Sequence, residues 1–228
     1  MIGYSDVSVS VRHVTRRFRR GVETVTALDD VSVDLYPGEL TVAAGPSGSG
    51  KTTLLSIIAG YERADAGTVT SGGRPTADLP WRALGFVPQS LTLLDELTVA
   101  ENVDLPGRLD PRVPGTPAEE LLELLEIGHL AGRYPNQVSG GEQQRTAIGR
   151  ALRLRPDILL GDEPTGHQDR GRVDLVLGIL RQHAYAGHVV LISSHDEAVI
   201  SAADRVVTLA DGRIVADTRA RAVPVTGA

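Results

Sequence analysis

The run Gly45-Pro46-Ser47-Gly48-Ser49-Gly50-Lys51-Thr52 contains the only lysine of the chain; the other 22 of its 23 Lys plus Arg residues are arginine. A sequence that uses arginine everywhere else keeps lysine where a compact ammonium on a flexible stem must reach between phosphate oxygens, a place that a planar guanidinium fork does not suit. Glycines at 45, 48 and 50 let the backbone curl until several N–H groups face one concavity, and a helix starting at the end of the run adds the positive end of its dipole. The pattern G-x-x-x-x-G-K-[ST] reads as a phosphate-binding loop. In that reading Lys51 neutralises the β- and γ-phosphate oxygens, the Thr52 hydroxyl ligates magnesium, and the loop from Gly45 through Thr53 lines the nucleotide.

A second chemical element, Ile158-Leu159-Leu160-Gly161-Asp162-Glu163, is an apolar run ending in two adjacent carboxylates. Successive residues of a strand face opposite ways, but at a strand's end both side chains can approach the same phosphates. Asp162 would then hold magnesium through its water shell, and Glu163 would polarise an attacking water. The plain structural alternative is an apolar strand that ends in an Asp-Glu-Pro turn.

The third element, Val138-Ser139-Gly140-Gly141-Glu142-Gln143-Gln144-Arg145, has two readings. Ser139 with Glu142 forms a capping box that opens a helix over Gln143 to Leu152. Equally, two glycines expose backbone N–H groups at a helix start, which is a ready anion site. Such a site could serve the same nucleotide as Lys51 only if a second chain brings it there.

The elements that must position these residues can be read from periodicity. Alternation at Val7, Val9, Val11 and at Val31, Val33, Leu35 predicts half-buried strands of an antiparallel sheet. Leu40 to Ala44 is a short continuous apolar run, the mark of a buried central strand, and it feeds the glycine loop directly. Thr52 to Ala59 has helical composition, so strand, loop and helix follow in the required order. A strand is predicted at Leu84 to Val87, and from 90 to about 150 the pattern is helical. Thr98-x-x-Glu101 and Thr116-Pro117-x-Glu119 both read as capping boxes, and Leu121, Leu122, Leu124 and Leu125 give an apolar stripe. Beyond lie a strand at Asp157 to Leu160, a helix from about Val173 to Tyr185 and a buried strand at His188 to Ser193. A last hairpin, Arg205 to Leu209 and Arg213 to Ala216, turns at Asp211-Gly212. Residues after about Thr218 show no periodicity. One domain over 1–228 is expected, with an α/β core and antiparallel sheet over 1–89 and 151–218, a helical insert over 90–150 and a tail from 219.

Composition narrows the functional classes. With 228 residues, 41% hydrophobic and 23% charged, the chain can bury a full core. A net charge of -6 argues against a nucleic-acid partner; the cluster Arg16, Arg17, Arg19, Arg20 reads as a solvated strand end or turn, with a phosphate or lipid contact as the alternative. There is no cysteine for a disulfide framework or a thiolate metal site. No apolar run approaches the roughly 18 residues of a membrane span, and the first residues lack the pattern of a signal peptide. The expected place is therefore the cytoplasm, with any membrane role through a partner.

Ser-Gly-Gly-Glu-Gln-Gln-Arg after a phosphate loop and shortly before a strand ending in Asp-Glu-Pro-Thr resembles the signature of the ATP-binding cassette (ABC) family. The resemblance covers about residues 7 to 215. It implies a P-loop NTPase (RecA-like) core with an antiparallel β subdomain and an inserted helical subdomain, an ATPase activity using ATP and Mg²⁺, and a head-to-tail dimer with a second copy or a homologous chain. Ser139, Gly140 and Gly141 would then meet the γ-phosphate on the partner. Gln89 matches the family's glutamine loop, which touches magnesium and transmits state to membrane subunits, with a surface glutamine as the alternative, and His195 in Ser193-Ser194-His195-Asp196 matches the switch histidine, with a polar strand end as the alternative. Asp169 matches the aspartate of the loop linking the two active sites. Phe18 occupies the position of an aromatic ring stacked on adenine; a core Phe is the alternative.

Three departures from the family pattern stand out. Gly166-His167-Gln168-Asp169 carries His-Gln where Asn-Leu is usual, which puts coupling between the sites in question. Gly161 replaces a common alanine and is expected to loosen the strand end. Pro80-Trp81-Arg82 is compact. Within the family, Leu93-Leu94, Thr98-Val99-Ala100-Glu101-Asn102-Val103 and Leu105-Pro106 are similar to the branch driving lipoprotein-release and macrolide-export permeases. An integral membrane permease is thus the implied partner, met around Gln89 and Leu91 to Leu97, with the ATPase peripheral on the inner face of the cell membrane. A transmission ATPase that moves no solute and a soluble ABC ATPase acting on DNA or ribosomes are the other readings; acidic charge and the lack of a basic extension disfavour the latter.

Overall fold

The computed structural model describes residues 8–21, 23–166 and 168–219. In chain order the elements are β1 (Val9–Arg20), β2 (Glu23–Leu35), β3 (Leu40–Ala44), α1 (Lys51–Ile58), β4 (Ala66–Ser71), β5 (Arg74–Pro75), β6 (Leu84–Val87), α2 (Val99–Leu109), α3 (Ala118–Leu124), α4 (Gly140–Leu152), β7 (Ile158–Asp162), α5 (Arg170–Tyr185), β8 (Val189–Ser194), α6 (Glu197–Ala202), β9 (Arg205–Ala210) and β10 (Arg213–Arg219).

Two sheets divide the strands. A four-stranded antiparallel sheet runs β2-β1-β4-β5, and a six-stranded sheet runs β10-β9-β3-β8-β7-β6 with only the β10 edge antiparallel. All residues of β3, β7 and β8 are buried, as continuous apolar runs covered on both faces should be. Their alternation sorts side chains into two cores. Leu40, Val42, Leu159, Val190 and Ile192 face Val176 and Leu180 of α5 and, beyond them, Val103 of α2 and Ile148 of α4. Ala43, Ile158, Leu160 and Leu191 face Leu54 and Ile58 of α1 and the valines of β1 and β2.

Parallel register then lines up the strand ends. Ala44 pairs with Ser194, and Asp162 with Ser193, so the C-terminal tips of β3, β7 and β8 lie side by side. Ligands of open α/β sheets sit beyond these ends. The closing hairpin turns at Asp211 and Gly212, both at positive φ (47° and 76°), which a primed two-residue turn requires. The Gly212 N–H donates to the Ser49 carbonyl and the Gly212 carbonyl accepts from Asp29, so this turn ties the glycine loop to the antiparallel sheet.

Three local expectations need correction. Thr116 does not cap α3: its hydroxyl accepts from Arg155 Nε at 2.9 Å and its N–H donates to the Arg153 carbonyl at 3.0 Å, leaving Pro117 at the N-cap without a side-chain bond. β1 does not stop near residue 11 but continues through the arginine cluster, because Arg16 is held by Glu62 and Asp65 at 2.8 Å each while the strand keeps pairing with β2. Gly161 does not loosen its strand end either. It pairs on both sides, and an added Cβ would lie 3.0 Å from Pro164 and 3.2 Å from Ile192, so the missing side chain makes room for close packing. The expected strand residue Val7, His167 and the tail from 220 lie outside the described residues. The Thr98–Glu101 capping box is present in full.

Candidate active site

The glycine loop leaves β3 and enters α1 through backbone that only glycine adopts without strain. Gly45 and Gly50 have φ of 142° and 105°, and a Cβ on them would lie 2.2 Å from the Leu209 carbonyl oxygen and 2.4 Å from that of Ala27. Lys51 opens α1, is 8% exposed, and donates from Nζ to the carbonyls of Gly45 and Pro46 at 2.8 and 2.9 Å. Neutral carbonyls hold the ammonium over the loop; a phosphate oxygen is the stronger, charged acceptor. The side chain of Ser49 turns inward and is buried, with no partner for its hydroxyl among the described residues.

The carboxylates at the tip of β7 are joined to this loop by short bonds. Thr52 Oγ1 donates to Asp162 Oδ2 at 2.8 Å, and Ser193 Oγ donates to Asp162 Oδ1 at 2.6 Å. Glu163 turns out of the strand at a φ of 52°, its N–H donating to Ser193 Oγ at 3.0 Å. Its carboxylate shares a 2.8 Å hydrogen bond with His195 Nδ1, whose ring is largely exposed.

A cavity of about 910 Å³ opens over these groups. Phe18, Pro46, Ser47, Gly48, Gly50, Lys51, Thr52, Thr53, Gln89, Asp162, Glu163 and His195 all line it. Phe18 is backed by the Arg16 guanidinium, 4.5 Å from the ring centroid, a cation–π contact that fixes one face of the ring. The donor set fits magnesium and a polyphosphate: a threonine hydroxyl and a carboxylate already in contact, a glutamine amide, an ammonium and a helix N-terminus.

A model of the family described as ABC transporter matches residues 28–166, which is more than half of the chain. The chain belongs to this ABC transporter family. Among curated relatives, the lipoprotein-releasing system ATP-binding protein LolD of Gluconobacter oxydans is 42% identical over 214 residues, covering 89% of this chain and 93% of that protein. The sulfate/thiosulfate import ATP-binding protein CysA of Ralstonia nicotianae is 44% identical over 220 residues, and the macrolide export ATP-binding/permease protein MacB of Burkholderia pseudomallei is 39% identical over 220 residues. The chain spans 58% of the length of that CysA and 34% of that MacB, with 91% and 92% of its own length aligned. In structure it is similar to the ATP-binding cassette MJ0796, dimeric in a post-hydrolysis state with ADP and Pi, at a TM-score of 0.85 and 33% identity, covering 92% of this chain and 98% of that one. The antiparallel sheet and P-loop core are those of ABC cassettes.

Ser139, Gly140 and Gly141 lie elsewhere on the surface. Ser139 caps α4: its hydroxyl accepts from the Glu142 N–H at 3.4 Å, and Glu142 Oε2 accepts from the Ser139 N–H at 2.7 Å. That backbone bond holds the Glu142 carboxyl below its ordinary range. The helix starts at Gly140, three residues earlier than expected from Gln143. Ser139 and Gly140 are exposed, Gly141 is half-buried, and none of the three lines the cavity over Lys51. Asp169 is likewise apart from the cavity; it caps α5, accepting from the Arg172 N–H at 3.1 Å. Arg145, buried in α4, feels the charge of both acids: burial lowers its pKa, and Glu142 and Asp169 work against that shift.

Sequence reasoning passed over two residues that shape this region. Ser193 touches both carboxylates; its signal was a polar residue ending an otherwise apolar buried strand. Asn102, fully buried in α2, bonds the backbone of Leu94, Leu97 and Thr98 and so fixes the segment after Gln89. Its signal was an amide on the inward face of an amphipathic helix.

Proposed function

We propose that this chain is the ATP-binding and ATP-hydrolysing subunit of an ABC transporter and energises a separate integral membrane permease, in the direction of export. The observation that carries this is the division of the site. Lys51, Thr52, Asp162, Glu163, Gln89 and His195 share one cavity, while exposed Ser139 and Gly140 and half-buried Gly141 stand away from it. In this reading Lys51 and the loop from Gly45 to Thr53 bind the phosphates, and Thr52, Gln89 and Asp162 hold magnesium. Magnesium neutralises developing phosphate charge when bound. Glu163 takes a proton from the attacking water, His195 orients Glu163 and faces the γ-phosphate, and Phe18 stacks on the base.

The partner is a second copy or a homologous chain, whose Ser139 to Gly141 complete the site over Lys51 while Asp169 links the two sites. Among the described residues no helix is long and apolar enough to cross a membrane. Docking is assigned to the surface around Gln89 and Leu91 to Leu97, at the start of the helical subdomain over 90–150, and in this reading the chain lies peripherally on the inner face of the cell membrane. Leu94 is exposed there, and Arg150 braces the segment through the Leu91 and Thr92 carbonyls. Export rests on the similarity of Leu93-Leu94 and Thr98 to Pro106 to the lipoprotein-release and macrolide-export branch.

ATP turnover in the presence of Mg²⁺ tests the assignment. Lys51→Ala is expected to reduce phosphate release to background, and normal turnover in that variant would contradict it. Copurification of the tagged chain with a multi-span membrane protein tests the partner.

A further inference from the structure

Ser193 is fully buried near the end of β8, and its hydroxyl is used twice. Oγ donates to Asp162 Oδ1 at 2.6 Å and accepts the Glu163 N–H at 3.0 Å. One proton and a free lone pair allow both at once, with the proton committed to the carboxylate. Position explains why a side chain is needed. The β7–β8 ladder ends at the pair Asp162 and Ser193, so the next N–H, that of Glu163, has no strand carbonyl to meet. Glu163 also leaves the strand in left-handed backbone, which a residue with a side chain keeps only where its surroundings enforce it. The turned N–H lands on Ser193.

We propose that Ser193 is a positioning residue for hydrolysis, fixing with one hydroxyl both the metal-side carboxylate and the backbone that aims the general base. This rests on the reading of Asp162 and Glu163 given above and adds a residue to it. With Oδ1 tied to Ser193, the other oxygen of Asp162 is left to the Thr52 side of the cavity, where its hydroxyl partner already sits at 2.8 Å. With its N–H tied to the same hydroxyl, Glu163 presents its carboxylate to His195 Nδ1. Ser193 lines no part of the cavity, so it acts only through these two neighbours.

The test compares Ser193→Thr with Ser193→Val, which match in shape and differ by the hydroxyl, together with Ser193→Ala. Measured on the full chain are kcat, KM for ATP, the Mg²⁺ concentration giving half-maximal turnover, and Tm. The valine and alanine variants are expected to lose roughly 10- to 100-fold in kcat, as substitutions of a residue that holds a metal-binding carboxylate do, and to need several-fold more Mg²⁺. KM for ATP should change by less than about twofold, and the threonine variant should keep most of the wild-type rate. Equal kcat and equal Mg²⁺ requirement for valine and threonine would overturn the proposal. So would a fall in Tm for alanine and valine with Mg²⁺ dependence unmoved. Should threonine's extra methyl prevent folding, the Mg²⁺ titration of alanine against wild type decides alone. Asp162→Asn and Glu163→Gln run in parallel: if they leave turnover intact, the reading of the two carboxylates fails, whereas if they abolish it and the Ser193 variants do not, only the role of Ser193 fails.

Discussion

The cavity around Lys51 and the tip of α4 are both suited to grip phosphate, yet they are built differently. In the cavity the polar groups hold one another: Lys51 on the loop carbonyls, Thr52 and Ser193 on Asp162, His195 on Glu163. At the helix tip Ser139 and Glu142 satisfy each other, and the N–H groups of Gly140 and Gly141, the first in the helix, have no carbonyl within it to meet. The first region is a finished pocket for a charged ligand. The second is a rigid, outward-facing surface with positive backbone dipole, which fits a ligand already held by something else. That asymmetry is what a composite site between two chains needs from each.

Breaking the chemistry of the first region while leaving its binding intact has the largest expected effect. Glu163→Gln keeps shape but loses the carboxylate proposed as the base, so phosphate release should fall by about 10²- to 10⁴-fold while ATP affinity measured by equilibrium binding stays within a few-fold of wild type. Loss of binding together with turnover would mean that Glu163 grips rather than reacts.

The second region is probed by Ser139→Ala. Losing the cap hydroxyl should cost about 1 kcal/mol in unfolding free energy by urea titration and lower the turnover of the dimeric enzyme, while ATP binding to the isolated chain is unchanged. Weakened nucleotide binding in the monomer would place the helix tip and Lys51 in one chain's pocket, contrary to the comparison.

The smallest effect on turnover is expected away from both regions, where only stability should change. His183 on α5 stacks on His188 with ring centroids 4.3 Å apart, shares a 2.9 Å hydrogen bond with the Pro156 carbonyl through Nε2, and lines a groove together with Glu120 and Arg155. Burial first, and the neighbouring His188 second, push its pKa from 6.5 down to about 4. The unfolded chain therefore binds a proton that the folded chain refuses in the window between these values, and stability falls as pH drops through it. Between pH 7.5 and 5 the loss should be on the order of 2 kcal/mol, with a flatter profile in His183→Gln, read by thermal melts. Nucleotide affinity at the cavity should not follow this change.

How much of this could be read from the residues depends on where the information lies. Lys51, Asp162 and Glu163 were legible because a charged group next to glycine, or at the end of an apolar strand, is a local pattern. The start of α4 was legible for the same reason, since Ser139 and Glu142 make their cap within four residues. Thr116 was misread because its hydroxyl is claimed by Arg155, 39 residues away, and nothing nearby in sequence shows that. The second half of β1 has no apolar alternation; pairing with β2 and the acids Glu62 and Asp65 make it a strand. Ser193 looked like one polar residue among several before His195, and only the register of β7 against β8 puts it beside both carboxylates.

The most direct test of the composite site is the mass of Glu163→Gln in solution, by size exclusion with light scattering, with and without ATP. A dimer that forms with ATP, falls apart when nucleotide is removed and is lost on adding Ser139→Ala is the expected result. A chain that binds ATP and stays monomeric at every concentration would contradict the account.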